Sequence, residues 1–180
     1  MSKPLQKPGD SRLFTAEEVE EFPRLPINPR ANYARVPFSA GFNVPVILDM
    51  AAKEGNLPHG HVMYIVDFGS LIKPDADREL ITNLDNAAHR EAKGSPGFLL
   101  YFRGDLDSEG YNRSFCVWRS KEDAKKAARK PNHMAAVLSA KEMYIWYRIT
   151  MREAWLEKPP LDFGFGVELS HLIGNDQLPE

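Results

Sequence analysis

Four apolar runs and two amphipathic stretches, alternating between His61 and Trp155, leave few folds open to this chain. HVMYIVDFGSLI (61–72) is rich in Val, Ile, Tyr and Phe and reads as a strand. DADRELITNLDNAAHREA (75–92) places Leu80, Ile81, Leu84, Ala87, Ala88 and Ala92 on one helical stripe, and Gly94-Ser95-Pro96-Gly97 ends it. GFLLYFRG (97–104) and RSFCVWRS (113–120) follow as a strand pair joined by the turn-rich DLDSEGYN. Ser120 is then placed as an N-cap, with Glu122 and Asp123 in the first turn where the helix dipole favours them. That helix runs to about Lys130, breaks at Pro131 and resumes to about Met143, before YIWYRITMREAW (144–155) supplies the fourth strand. The order β-α-β-β-α-β predicts a ferredoxin-like α+β fold, an antiparallel sheet with both helices on one face.

Such a layer leaves the other face of the sheet to be covered. Alternation puts Phe98, Leu100 and Phe102 on one side of the second strand, with Leu99, Tyr101 and Arg103 on the other. In the fourth strand it separates Ile145, Tyr147 and Ile149 from Tyr144, Trp146 and Arg148. One set suits packing under helices. The other mixes large aromatics with guanidinium groups, and is expected to meet a partner sheet, the N-terminal segment, a ligand or a combination of these.

Three segments are expected: a Pro-rich arm with short helices (1–58), the ferredoxin-like domain (59–156) and a tail (157–180). Seven of the 14 prolines lie in the first 45 residues, which excludes long helices or central strands there. Thr15-Ala16-Glu17-Glu18 reads as a capping box. Residues 23–37 read as extended, polyproline-like chain, and a short helix is expected around Ile47 to Ala52. Phe22, Leu25, Ile27, Tyr33, Phe38 and Phe42 make this a wrapping arm rather than a disordered tail. Beyond Pro159-Pro160 the residues show no strong period and read as loop, with Phe163-Gly164-Phe165-Gly166 as a flexible turn.

Composition excludes several functions. A formal net charge of -2 gives no basic footprint for nucleic acid, and no polybasic segment points to a membrane surface. Lys121, Lys125, Lys126, Arg129 and Lys130, balanced by Glu122 and Asp123, read as a solvated helix face. The single cysteine, Cys116, sits in an apolar run and reads as a small buried hydrophobe, with no disulfide or cysteine-rich zinc site open to it. MSKPLQKPGD lacks a signal-peptide core and no apolar run is long enough to span a bilayer, so a cytoplasmic setting is expected. Phosphate-loop, dinucleotide-binding and nucleophile-elbow motifs do not occur.

HREAKGSPGFLLYFRG, RSFCVWRSKEDAKKAARKPNHMAAV and EMYIWYRI carry a resemblance. With W-x-S closing the third strand and P-x-H opening the second half of the broken helix, they resemble the dimeric α/β-barrel superfamily of antibiotic biosynthesis monooxygenase-like proteins. More closely, they resemble a group of mostly uncharacterised bacterial and fungal proteins within it. The resemblance covers about residues 61–152. It implies a homodimer with facing sheets and, in each protomer, a pocket between sheet and helices. The superfamily holds cofactor-independent oxygenases of aromatic polyketides, haem-degrading enzymes, decarboxylases, cyclases, isomerases and proteins without demonstrated activity, so fold does not fix the reaction. Its haem-degrading branch combines a first-strand asparagine, a tryptophan and an axial histidine. Trp118 and His133 match by motif, but HVMYIVDF has no asparagine, which leaves haem binding as a third reading behind a cofactor-free one.

The candidate residues follow from this frame. His133, just past the helix break, is a general acid or base over the pocket, or else a capping residue. His89 lies four residues after Asp85, which makes either a carboxylate–imidazole couple or an exposed helix pair. Tyr101, Arg103, Trp146 and Arg148 offer rings and guanidinium groups to an aromatic, anionic substrate, or form a dimer interface. Trp118, Tyr64 and Asp67 are further pocket candidates. His59 and His61 are too few for a metal site, and no metal is expected. The reading is a homodimer that binds a small apolar or aromatic, polyketide-like metabolite, or a cofactor-independent monooxygenase, cyclase or decarboxylase of secondary metabolism. The alternative is a non-catalytic dimeric binding or interaction protein.

Overall fold

β1 (Met63–Ile72) lies at the centre of a five-stranded antiparallel sheet of order β2-β3-β1-β4-β5. The computed structural model describes the backbone of residues 29–156 and 163–174, and the side chains of 29–156. In chain order the elements are α1 (Phe38–Gly41), α2 (Val44–Glu54), β1, α3 (Arg78–Lys93), β2 (Phe98–Phe102), β3 (Tyr111–Trp118), α4 (Lys121–Ala128), α5 (Pro131–Met143), β4 (Tyr144–Leu156) and β5 (Phe163–Gly174). β1 pairs with β3 on one side and β4 on the other, and β2 closes the β3 edge. The first four strands therefore have the 2-3-1-4 order and the βαββαβ connection of the ferredoxin-like fold.

Local chemistry sets the helix ends. Asp77 caps α3 by accepting from the Leu80 amide at 2.9 Å, and Ser120 caps α4 by accepting from Asp123 at 3.2 Å. Pro131 opens α5, where its missing N–H costs nothing. The α5 cap residue, Lys130, makes no side-chain capping bond, and the exposed amides are met from another helix. Glu91 of α3 accepts from the backbone of Asn132 at 3.4 Å and of His133 at 3.1 Å.

Register shows which side chains share a face. Tyr64, Val66, Phe68 and Ser70 of β1 point towards α3–α5, together with Asn112, Ser114, Cys116 and Trp118 of β3. Met63, Ile65 and Asp67 point the other way with Arg113, Phe115 and Val117. The aromatic and cationic set expected on one face divides. Tyr101 and Arg103 lie on the helix side, whereas Trp146 and Arg148 lie on the opposite side. Alternation orders residues within a strand, but only cross-strand register relates one strand to the next. Irregularities at Phe98/Leu100 and Leu71/Ile72 shift the phase further, bringing Phe98 beside Tyr101 and Tyr144 beside Tyr147.

Much of the face away from α3–α5 is covered by the chain itself. Phe38, Phe42, Val44, Ile47, Leu48 and Ala51 share one apolar cluster with Ile65, Leu100, Phe115 and Val117. The helix expected around Ile47–Ala52 spans Val44–Glu54. Residues 31–36 form hydrogen-bonded turns rather than extended polyproline-like chain, with Tyr33 N–H donating to Arg30 and Arg35 N–H to Asn32. The Thr15–Glu18 capping box and residues 23–28 lie outside the described residues.

The tail is a further correction. Residues 163–174, read as loop with a flexible turn at 163–166, form β5 along the free edge of β4. An edge strand needs only one partner ladder, and its glycines conceal the alternation that would have marked it.

Candidate functional site

Between the sheet and helices α3 and α5 lies a cavity of about 120 Å³. His133, His89, Asp85 and Tyr101, named from the sequence, all line it, beside Tyr144 and Tyr147. An enclosed apolar volume of about 150 Å³ takes a benzene ring. The space therefore suits a single ring rather than a fused polyketide. It also falls below the ~300–1,000 Å³ of sites that hold drug-sized ligands, so a porphyrin does not fit and no haem chemistry is derived.

His133 is held in place by Glu91, a residue the sequence did not single out. Its Nδ1 lies 2.9 Å from Glu91 Oε2, and the same oxygen accepts the His133 backbone N–H. Glu91 Oε1 takes the Asn132 backbone amide and its side chain, at 3.4 and 3.3 Å. Burial pushes the Glu91 carboxyl up, but the bonds from His133 and the α5 backbone outweigh it and hold the group below its ordinary value. The carboxylate thus caps α5 and fixes the imidazole in one step. It also leaves Nε2 as the ring nitrogen without a protein partner among the described residues. Forty-two residues separate the pair, so no local motif announces it.

Asp85 is engaged elsewhere than the expected couple with His89. It accepts from Tyr101 Oη at 2.9 Å and from Arg103 at 2.5 Å, and Arg103 also donates to Asn86 at 2.7 Å. His89 is 8 % exposed and packs against Tyr101, their ring centroids 4.3 Å apart and their planes tilted by 57°. Burial, then the neighbouring charge of Arg103, lowers its pKa to about 3, so it is neutral at physiological pH. This gives an acid-sensitivity prediction. The unfolded imidazole takes a proton near its ordinary 6.5 and the folded one does not, so stability falls as pH drops from 6.5 towards 3. Between pH 6.5 and 5 the loss from this group is about 2 kcal/mol, at ~1.4 kcal/mol per unit. Urea unfolding of His89→Gln is expected to lack that part of the pH dependence.

The other polar groups of the cavity are donors. Burial raises the pKa of Tyr101, Tyr144 and Tyr147 above the ordinary phenol value, which keeps all three protonated at physiological pH. Tyr101 spends its proton on Asp85, whereas the hydroxyls of Tyr144 and Tyr147 donate to no described protein group. Cys116 borders the cavity, but burial raises its thiol to about 12 and Trp118 Nε1 donates to its sulfur at 3.0 Å, so it is no nucleophile.

The remaining candidates stand apart. Trp118 and Tyr64 are buried in the core under α4 and do not reach the cavity. Trp146 and Arg148 line a different cleft across the sheet. Asp67 is buried on that same face, ion-paired to Arg113 at 2.6 Å. Among the described residues, no group of three or more His, Cys, Asp or Glu side chains could hold a metal ion, and no helix is long and apolar enough to cross a membrane.

Comparison with solved structures finds antibiotic biosynthesis monooxygenase-like proteins. SnoaB, a cofactor-independent oxygenase from Streptomyces nogalater, is 11% identical, with 67% of this chain and 100% of that one covered at a TM-score of 0.40. Rv0793 from Mycobacterium tuberculosis is 14% identical, covering 66% and 99% at 0.43. An antibiotic biosynthesis monooxygenase-like protein from Nitrosomonas europaea is 12% identical, covering 66% and 94% at 0.43. No curated protein matches the chain. The model of one family spans residues 24–159, from the N-terminal segment through the last residues of β4, and on that match the chain belongs to the PB2B2.08-like family.

Proposed function

We propose that this protein binds a small single-ring phenol or enol in the cavity between sheet and helices, and takes its proton with His133. The observation that carries this reading is the Glu91–His133 couple beside two tyrosine hydroxyls that have no partner among the described residues. Glu91 accepts from Nδ1–H and fixes the ring, so Nε2 is the nitrogen that accepts the ligand's proton. The resulting oxyanion is met by Tyr144 and Tyr147, which remain donors because burial keeps them protonated. His89 is neutral and serves as a wall of the site rather than as its acid. The reaction class is proton abstraction without a cofactor, in a cytoplasmic setting.

A non-catalytic binding protein is the second reading, favoured by one observation: Glu91 also caps α5, a structural duty that needs no substrate. Self-association forms part of the proposal through a surface other than the sheet face, because a facing-sheet dimer would have to displace α1 and α2.

Calorimetry with phenol and toluene tests the site. Phenol is expected to bind about tenfold or more tightly than toluene, since a site built around a hydroxyl rejects the analogue that lacks it. His133→Ala is expected to abolish that preference. Equal binding of the two probes by the wild-type protein would refute the proposal.

A further inference from the structure

A second cleft, of about 730 Å³, opens on the face of the sheet away from α3–α5. It lies between residues 34–39 and the parts of β1, β3 and β4 that α2 leaves uncovered. Its lining is rich in donors and poor in acceptors. Asp67 is the one carboxylate among the described lining residues, and both of its oxygens are taken by Arg113, at 2.8 and 2.6 Å. Arg35 is held by Asp107 and Glu109, at 2.6 and 2.8 Å. Arg152 contacts Asp67 at 3.4 Å and so shares that carboxylate with Arg113.

Arg148 differs from these. Its cross-strand neighbours are Gly69 in β1 and Leu172 in β5, neither of them charged, and no carboxylate among the described residues pairs with it. Its guanidinium lies 5.7 Å from the ring of Trp146. Trp146 is 8 % exposed, and its buried indole N–H finds no acceptor among the described residues. A buried donor left without an acceptor keeps the full cost of its desolvation, so such a group calls for a partner. The ring of Tyr111 stands 6.1 Å from that of Trp146 and adds a second aromatic wall.

We propose that this cleft binds a small ring-bearing carboxylate. Arg148 takes the carboxylate, the indole N–H of Trp146 supplies a further donor, and the ring lies against Tyr111 and Trp146. One guanidinium without a carboxylate partner among the described residues matches a single negative charge and leaves a dianion half-neutralised. A second copy of the chain fits less well, because a two-fold contact would set Arg148 near its own counterpart. The site is independent of the helix-side cavity, which lies across the sheet.

Isothermal titration of the full chain with benzoate, inorganic phosphate and benzyl alcohol is the test. Saturable benzoate binding is expected, with phosphate and benzyl alcohol weaker. Arg148→Leu should weaken benzoate binding about tenfold or more, and Trp146→Phe severalfold, since each removes a donor to a charged group. Arg148→Lys, which keeps the charge, should bind more tightly than Arg148→Leu and guards against a loss caused by misfolding. The proposal is overturned by an absence of saturable benzoate binding, by Arg148→Leu binding as the wild type does, or by phosphate matching benzoate. A change of sedimentation state in Arg148→Leu also overturns it, because the cleft would then be a contact between copies.

Discussion

Phe38→Ala is expected to lower the unfolding free energy by about 3–5 kcal/mol, the cost of emptying a large, fully buried aromatic position. Phe38 is 1 % exposed, and its ring centroid lies 5.0 Å from Phe42 and 5.1 Å from Phe115 of β3. The guanidinium groups of Arg152 and Arg113 stand over the same ring, at 5.0 and 5.7 Å. Truncation would remove these ring contacts at the junction of α1, β1 and β3. A segment merely laid on a finished domain would lose less than about 1 kcal/mol on such a change. Urea unfolding with an unchanged m-value distinguishes the two, because only an integral core residue shifts the single global transition.

Asp67→Ala is the second large effect, again about 3–5 kcal/mol. The Asp67 side chain is 2 % exposed and bonds Arg113 at 2.8 and 2.6 Å, with Arg152 at 3.4 Å. Removing the carboxylate leaves two largely buried guanidinium groups without their shared anion. Arg113 also donates to the carbonyls of Tyr33 and Val36, so it ties the turn before α1 to the sheet. Hydrogen exchange in residues 33–42 is therefore expected to accelerate before that in β1 and β3. Asp67→Asn should cost less, because it keeps an acceptor for one of the donors.

The strand and helix order was legible because each element carries its own period and its own stop. Ser120 and Pro131 mark helix starts by local chemistry, and both act as the residues suggested. Relations between distant elements were not legible. The sequence placed Asp85 against His89 because they stand four apart on one helix, yet Asp85 is claimed by Tyr101 and Arg103 from β2. Glu91 escaped notice because its partner lies 42 residues away. His133, Tyr101, His89 and Asp85 line one cavity, since the topology itself brings α3, α5 and β2 together. Alternation within each strand, matched between strands by chemical likeness, groups Trp146 and Arg148 with Tyr101 and Arg103, and the register sends them across the sheet. The edge strand β5 was missed for want of a period.

The most direct test of the proton-accepting role is a spectrophotometric titration of bound 4-nitrophenol, whose phenolate absorbs at longer wavelength than its acid. If His133, held by Glu91, takes the proton while Tyr144 and Tyr147 meet the oxyanion, the bound probe should ionise at a pH about one unit or more below the free probe. His133→Ala should return it to the free value, and Glu91→Gln should leave it in between. A bound probe that titrates as it does in water, or a shift that survives His133→Ala, would contradict the account.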